Sequence, residues 1–339
     1  MGEVDRVWVN SGSAGIYSRP HETSQTCKTF SVPQTFSLSP EAKVSHSERT
    51  FSPREFADAI GVSESSVKRW VDSGSLVAAR TAGGHRRIEL SEAVRFIRAR
   101  KLPIADRSIL GLADVSRVPH ELVASPVTEE LLVDLLLRGD SDQARGLIVA
   151  AYLRGDPLGP LCDGPIRKAM DHIGSLWYEN RRGIAVEHVA TDVFLQAFHQ
   201  IRSLVPPAGP DAPAAIGAAF SGDPYALPSL MAATLLADLG FEVTHLGADT
   251  PPDVLATAAL DYKAGLVWLS VTADTPERDV QEAAQLLSTR LADLGTEIVI
   301  GGRATEPYTF NSLPHVTLER TMTDLARIAS GVPGARNGA

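Results

Sequence analysis

Three groups of residues in this 339-residue sequence carry side chains able to do chemistry. The first is a crowd of cations and short hydroxyls, Arg54, Ser65, Ser66, Lys68, Arg69, His85, Arg86 and Arg87, all within one short segment. Guanidinium and ammonium groups beside serine hydroxyls are what gripping a phosphate backbone requires. The second group is Trp177 with the adjacent pair Glu187 and His188, ten and eleven residues later: an aromatic plane, a carboxylate and an imidazole, the last a good neutral donor to a transition metal. The third is the loop FSGDPYALPSL, residues 220–230, which carries Asp223 and Tyr225 and follows the apolar run AAIGAAF. A phenol with an ordinary pKa near 10 must lose its proton before it competes with imidazole for a metal. Catalytic triads, glycine-rich nucleotide loops and metal-binding histidine pairs are not evident, so no catalysis is expected. His245 and His315 lie in strand-like runs and read as edge or core histidines, while Asp249 and Asp274 stand at strand ends as ligand contacts or solvated caps.

Each group needs an element to hold it. The net charge of −9 argues against a surface that binds polyanions everywhere, yet residues 51–101 hold ten Lys and Arg against six Asp and Glu. The positive charge is therefore concentrated around the first group. Two distant cysteines, Cys27 and Cys162, suggest neither a disulfide framework nor a zinc site. No stretch approaches the length of a membrane span, and the first residues lack the basic and apolar regions of a signal peptide, so a cytoplasmic protein is expected.

Residues 1–49, rich in Ser, Thr, Pro and Gly, read as a disordered arm. A compact unit over 50–103 ends at Pro103, and 104–125 is a connector with no firm assignment. Four helical segments over 126–205, joined by short turns, predict an antiparallel four-helix bundle. Residues 206–213, within VPPAGPDAP, form a stiff linker. From 214 to 332 apolar runs alternate with helical stretches, which predicts a doubly wound α/β domain with five parallel strands, and 333–339 is a tail. The whole is a multidomain chain. In this arrangement the 220–230 loop follows the first strand of the α/β domain, at the carboxyl edge where such sheets bind ligands.

Ser52-Pro53-Arg54-Glu55 is a capping box with proline at the first helical position, which starts a helix that Gly61 ends; Ser63 caps a second one, SESSVKRWVDSG, with Val67, Trp70 and Val71 facing inward. LVAARTAGGHRRIEL then reads as a hairpin whose turn delivers His85, Arg86 and Arg87 to its tip, a wing able to grip phosphates. FADAIGVSESSVKRWVDSGSL followed by GGHRRI resembles the winged helix-turn-helix of the MerR family of transcription regulators. The resemblance implies binding to double-stranded operator DNA as a dimer.

LWYENRRGIAVEHVATDVF resembles the helical cap of light-sensing cobalamin-dependent repressors of the CarH and CarA type, which join a MerR-like head to an α/β cobalamin-binding domain. That likeness implies that Trp177, Glu187 and His188 line the upper face of a corrinoid, with His188 available as an axial ligand after photolysis. It implies roles for Ser270, Thr272, Gly301 and Gly302 at successive strand ends, along the cofactor's nucleotide tail, and LGADTP at 246–251 resembles the loop after the second strand. The family's axial motif, Asp/Glu-x-His-x-x-Gly, falls on Asp223 to Pro228. Here Tyr225 replaces the histidine and Pro228 the glycine.

Three readings of the pocket stay open: adenosylcobalamin held without protein ligation from below, a different ligand such as haem, which tyrosine does ligate in some proteins, or no ligand at all and a dimerisation body. For the whole chain the expectation is a transcription regulator, a repressor, whose carboxyl half controls oligomeric state and operator affinity in response to cobalamin or light. A cofactor-free scaffold regulated by a protein partner is the alternative. A corrinoid carrier or mutase subunit would need the missing axial histidine and a catalytic partner domain.

Overall fold

The computed structural model describes residues 49–176, 181–308 and 312–335. The expected amino-terminal arm lies outside these residues except for Arg49, as does Trp177.

The head begins with β1 (Thr50–Phe51), α1 (Pro53–Ile60) and α2 (Glu64–Asp72), continues through β2 (Ala79–Arg80) and β3 (Arg86–Glu89), and closes with α3 (Leu90–Arg100). The expected capping box is formed: the Glu55 amide donates to Ser52 Oγ at 3.2 Å and the Ser52 amide donates to Glu55 Oε2 at 2.7 Å. Gly61 ends α1 at φ 70°, a left-handed conformation that glycine adopts without steric cost. The three strands form an antiparallel sheet in the order β1-β3-β2. Phe56, Val67, Ile88, Val94 and Ile97 are fully buried beneath it, and Trp70 packs 5.0 Å from Phe96, centroid to centroid.

Residues 104–125 contain two short helices, α4 (Ala113–Arg117) and α5 (His120–Ala124). Their apolar residues, such as Leu112, Val115 and Val118, are too few to show a period, but all three are buried. Arg107 ties the segment together by donating to the carbonyls of Val115 and Val118.

The bundle is α6 (Glu129–Arg138), α7 (Ser141–Arg154), a third helix in two pieces, α8 (Leu158–Leu161) and α9 (Arg167–Ser175), and the long α10 (Arg181–Leu204). Between α8 and α9 the chain makes a π-helical turn over Cys162–Ile166 that contains Pro165. Proline has no amide hydrogen and its ring crowds the preceding turn, so a wide turn suits it where an α-turn would not.

The α/β part runs β4 (Ala214–Ala219), α11 (Ala226–Asp238), β5 (Glu242–His245), α12 (Pro252–Asp261), β6 (Leu266–Ser270), α13 (Glu277–Arg290), β7 (Glu297–Gly301), β8 (Val316–Glu319) and α14 (Met322–Ala329). Among the described residues the strands form a five-stranded, wholly parallel sheet in the order β5-β4-β6-β7-β8. The order reverses between β4 and β6, and a crevice is expected beyond their carboxyl ends. Helices α12 and α13 cover one face with their own apolar core. On the other face α11 and α14 share a core that continues without a break through the bundle into the head. The bundle is thus seated on the sheet, and its third and fourth helices cover the crevice.

Candidate functional site

The basic side chains of the head divide into tethered and free. Lys68 pairs with Glu64 at 2.8 Å one turn back on α2, Arg87 lies 3.6 Å from Glu55, and Arg86 is bonded to Asp72. Arg86 and Arg87 belong to β3, paired in register with Arg80 and Ala79, so they line the hairpin's flank and only His85 of the expected trio stands in the exposed turn. Strand pairing extended further toward the turn than the Thr-Ala-Gly-Gly sequence suggested. Ser65 is exposed, whereas Ser66 is half-buried, and both bond the capping hydroxyl of Ser63. Arg54 and Arg69 are exposed. Arg80, which sequence reasoning passed over, is exposed on β2, and among the described residues neither it nor Arg69 has a side-chain hydrogen bond or ion pair. Strand alternation offered no signal, because Ala79 and Arg80 are both exposed.

The crevice beyond β4 and β6 is a cavity of about 610 Å³, within the range of small-molecule and cofactor sites. Its roof is made by Cys162, Ile166, Met170 and Gly174, four apart along the π-turn and α9, and by Glu187, Thr191 and Leu195, four apart along α10. Roof and floor are pinned at one side by Asp163, whose carboxylate accepts from the amides of Met322 and Thr323 and from the Thr323 hydroxyl, at 2.7, 2.9 and 2.6 Å.

Asp223 shapes the floor without entering it. Fully buried, its Oδ1 accepts from the Tyr225 amide at 2.9 Å and its Oδ2 from the amides of Thr272 and Ala273 at 2.6 and 3.3 Å. The loops after β4 and β6 are stitched together by one carboxylate, which leaves Tyr225 at the amino end of α11, lining the cavity and 40% exposed.

Ser270 and Thr272 also line the cavity. Their hydroxyl oxygens are buried and have no hydrogen-bond partner, which is costly for a polar group unless something else supplies the bond. Gly301 and Gly302 line it as well, but their lack of side chains answers first to the chain itself. A Cβ on Gly301 would lie 2.3 Å from the Glu319 carbonyl oxygen, and one on Gly302, at φ 120°, 2.3 Å from that of Val271.

The Glu187 and His188 pair is split. Consecutive residues on a helix point about 100° apart, and Glu187 takes the inward direction, its side chain 16% exposed and accepting from the Thr191 hydroxyl at 3.1 Å. His188 is 70% exposed, 3.6 Å from Glu187, and is not part of the lining. The expectation that both face the ligand is corrected in this respect.

Sulfur was missed altogether. Besides Met1 the chain has three methionines, Met170, Met231 and Met322, and all three line this cavity, from α9, α11 and α14. Their thioethers are soft and adaptable surfaces for a ligand of irregular shape. Cys162 joins them, its thiol pushed well above the usual range by burial and then by neighbouring Asp163. Glu319, also in the lining, is raised by burial and by Asp324, against the pull of its partner Arg327.

For a corrinoid the fit is divided. The enclosure, the apolar and thioether walls and the two unpartnered hydroxyls suit a broad group with a polar edge. The axial position does not suit histidine ligation, because no imidazole lines the cavity among the described residues and the floor offers the Tyr225 phenol instead. His245, half-buried on β5, is not part of the lining: it stacks on Trp268, its Nε2 lies 3.1 Å from Ser229 Oγ, and burial with the charges of Arg202 and His199 lowers its pKa to about 4.

A winged head of two short helices on a bundle that roofs a parallel sheet defines a DNA-reading module joined to a B12-type binding module. Family models agree: residues 50–104 match the helix-turn-helix domain and residues 128–202, the bundle whose last two helices make the roof, match the B12 binding domain. Over 264 residues the chain is 28% identical to the HTH-type transcriptional repressor CarA of Myxococcus xanthus, covering 74% of this chain and 85% of that repressor. Among solved structures it is similar to a monomethylamine corrinoid protein of Methanosarcina barkeri, at 16% identity over 60% of this chain and 96% of the other, with a TM-score of 0.41. A cobalamin-binding protein of Desulfitobacterium hafniense DCB-2 matches at 15% identity over 62% of this chain and all of the other, with a TM-score of 0.31. No helix among the described residues is long and apolar enough to cross a membrane.

Proposed function

We propose that the chain is a DNA-binding transcription repressor whose body holds a corrinoid without a histidine from the protein beneath it, and whose occupancy sets oligomeric state and operator affinity. It works in the cytoplasm and catalyses no reaction. The observation that carries the ligand half of this reading is the pair of buried, unpartnered hydroxyls of Ser270 and Thr272 in a cavity roofed by the helices that match the B12 binding domain. The DNA half rests on the winged helix-turn-helix with its exposed Arg69 and Arg80.

In this reading Ser270 and Thr272 would donate to polar groups of the ligand, and the three methionines and Glu187 would hold it from the lining. Bound adenosylcobalamin would supply a light-labile cobalt–carbon bond.

The test is retention of chromophore. Full-length protein is mixed in the dark with adenosylcobalamin, desalted and examined by visible absorption, with operator binding measured before and after illumination. Retained colour that is lost in Ser270→Ala/Thr272→Val and unchanged in Tyr225→Phe is expected. A colourless product refutes the corrinoid. Haemin is the second arm, favoured by the phenol and thioethers in the lining; a haem spectrum that shifts in Tyr225→Phe would replace the first reading.

A further inference from the structure

Three parts of the molecule meet at one ion pair. Arg98, in the last turn of α3 in the head, lies with its guanidinium carbon 3.7 Å from the centre of the Tyr152 ring on α7 of the bundle. It forms a two-pronged bond to Asp238, the final residue of α11 in the α/β part, with Nη2 3.0 Å from Oδ2 and Nη1 bonded to Oδ1. The Tyr152 hydroxyl donates to the same Oδ1 at 2.8 Å. Tyr152 is fully buried, and the Arg98 and Asp238 side chains are only 18% and 17% exposed.

The position of Asp238 matters as much as its partners. Helix α11 has the cavity at its amino end, where Tyr225, Leu227, Pro228, Met231 and Ala232 line it, and the ion pair at its carboxyl end. From Ala232, the last of these, to Asp238 is six residues, about 9 Å of rigid helix at about 1.5 Å each. Beyond the pair, α3 presents Phe96 to Trp70 of α2, and Arg100 lies over both rings, at 4.7 and 5.4 Å. Ligand loop, α11, ion pair, α3 and α2 are therefore in unbroken contact.

We propose that Arg98, Tyr152 and Asp238 are positioning residues that clasp the DNA-reading head to the body, and that α11 carries the state of the cavity to this clasp. The clasp itself stands apart from the corrinoid reading; the transmission rests on the cavity being a ligand site. A desolvated, two-pronged pair suits a docking contact. Its net contribution when intact is small, but removing one member strands the other charge in a poorly solvated place, so the docked state is sharply sensitive to alignment.

Hydrogen exchange read by mass spectrometry on the full chain tests both parts. In Asp238→Asn, exchange over Leu90–Arg100 and the last turn of α7 is expected to be at least about tenfold faster, with β4, β6 and β7 unchanged. The double variant Arg98→Met/Asp238→Leu, which strands no charge, is expected to return most of the protection. Unchanged α3 exchange in Asp238→Asn, or a loss spread evenly over the sheet, overturns the clasp. For transmission, Ala232→Trp fills the cavity from α11 with no ligand present. It is expected to alter α3 exchange by about threefold or more with the clasp intact and not in the double variant. No change with the clasp intact overturns transmission, and because no cofactor is involved, a failure of adenosylcobalamin to bind would count against the corrinoid reading alone.

Discussion

The head and the cavity are built on opposite plans. In the head, the groups that would meet DNA all come from one short segment, most of them face water, and what fastens them lies within that segment, as Glu64 holds Lys68 and Asp72 holds Arg86. In the cavity, the lining arrives from α9, α10, α11, α14 and three strand ends, and its fastening bonds span the chain, such as Asp163 to Thr323 across 160 positions. The head can lose a contact residue and keep its fold. The cavity cannot lose its fastenings and keep its shape.

The largest expected effect is on the cavity side. Asp223→Ala leaves three amides without their acceptor in a buried place and should cost about 4 kcal/mol of stability, read as a fall in the urea midpoint. A loss below about 1 kcal/mol would show that the loops hold themselves.

Next comes a pH dependence that belongs to the body alone. The pKa of His245 falls from its ordinary 6.5 to about 4, through burial first and the positive charges of Arg202 and His199 second. Between those values the unfolded chain takes up a proton that the folded chain refuses. The stability is therefore complete above about pH 6.5 and declines by up to about 1.4 kcal/mol per unit as the pH falls toward 4. Urea titrations at pH 7 and pH 5 should reveal the decline, and His245→Gln should flatten it.

On the head side, Arg69→Ala/Arg80→Ala should leave thermal unfolding unchanged while weakening DNA binding by about 2 kcal/mol at low salt. The slope of log K against log salt should fall by about two. A melting point that moves with the affinity would erase the contrast between the two regions. Smallest is a change of opposite sign: Thr272→Val removes a buried hydroxyl that has no partner, so the ligand-free protein should gain up to about 1 kcal/mol while ligand retention falls.

The same contrast governs what the sequence disclosed. The capping box at Ser52 to Glu55, the Ser63 cap, Gly61 and the five strand-like runs are local signals, and each became an element where expected. The loop at 220–230 could be placed at the sheet's edge because strand-helix alternation fixes which strand ends face the crevice. What depended on packing was hidden. Nothing local tells that Glu187 turns inward while His188 turns out, since that depends on which side of α10 meets the sheet. The three methionines have no mutual spacing that could have grouped them. Arg86 and Arg87 left the hairpin's tip because the register of β2 with β3, and not the glycine pair, decides where the turn begins.

The wide turn at Cys162–Ile166 sets the phase of everything after it. A π-turn holds one residue more than the α-turn it interrupts, so α9 continues α8 with its faces advanced by about 100°. Ile166, Met170 and Gly174 meet the cavity because of that single extra residue. A chain shortened by one position between Asp163 and Pro165 would lose only Gly164, keep its charges and every named contact residue, and would still turn a different row of side chains toward whatever the cavity holds.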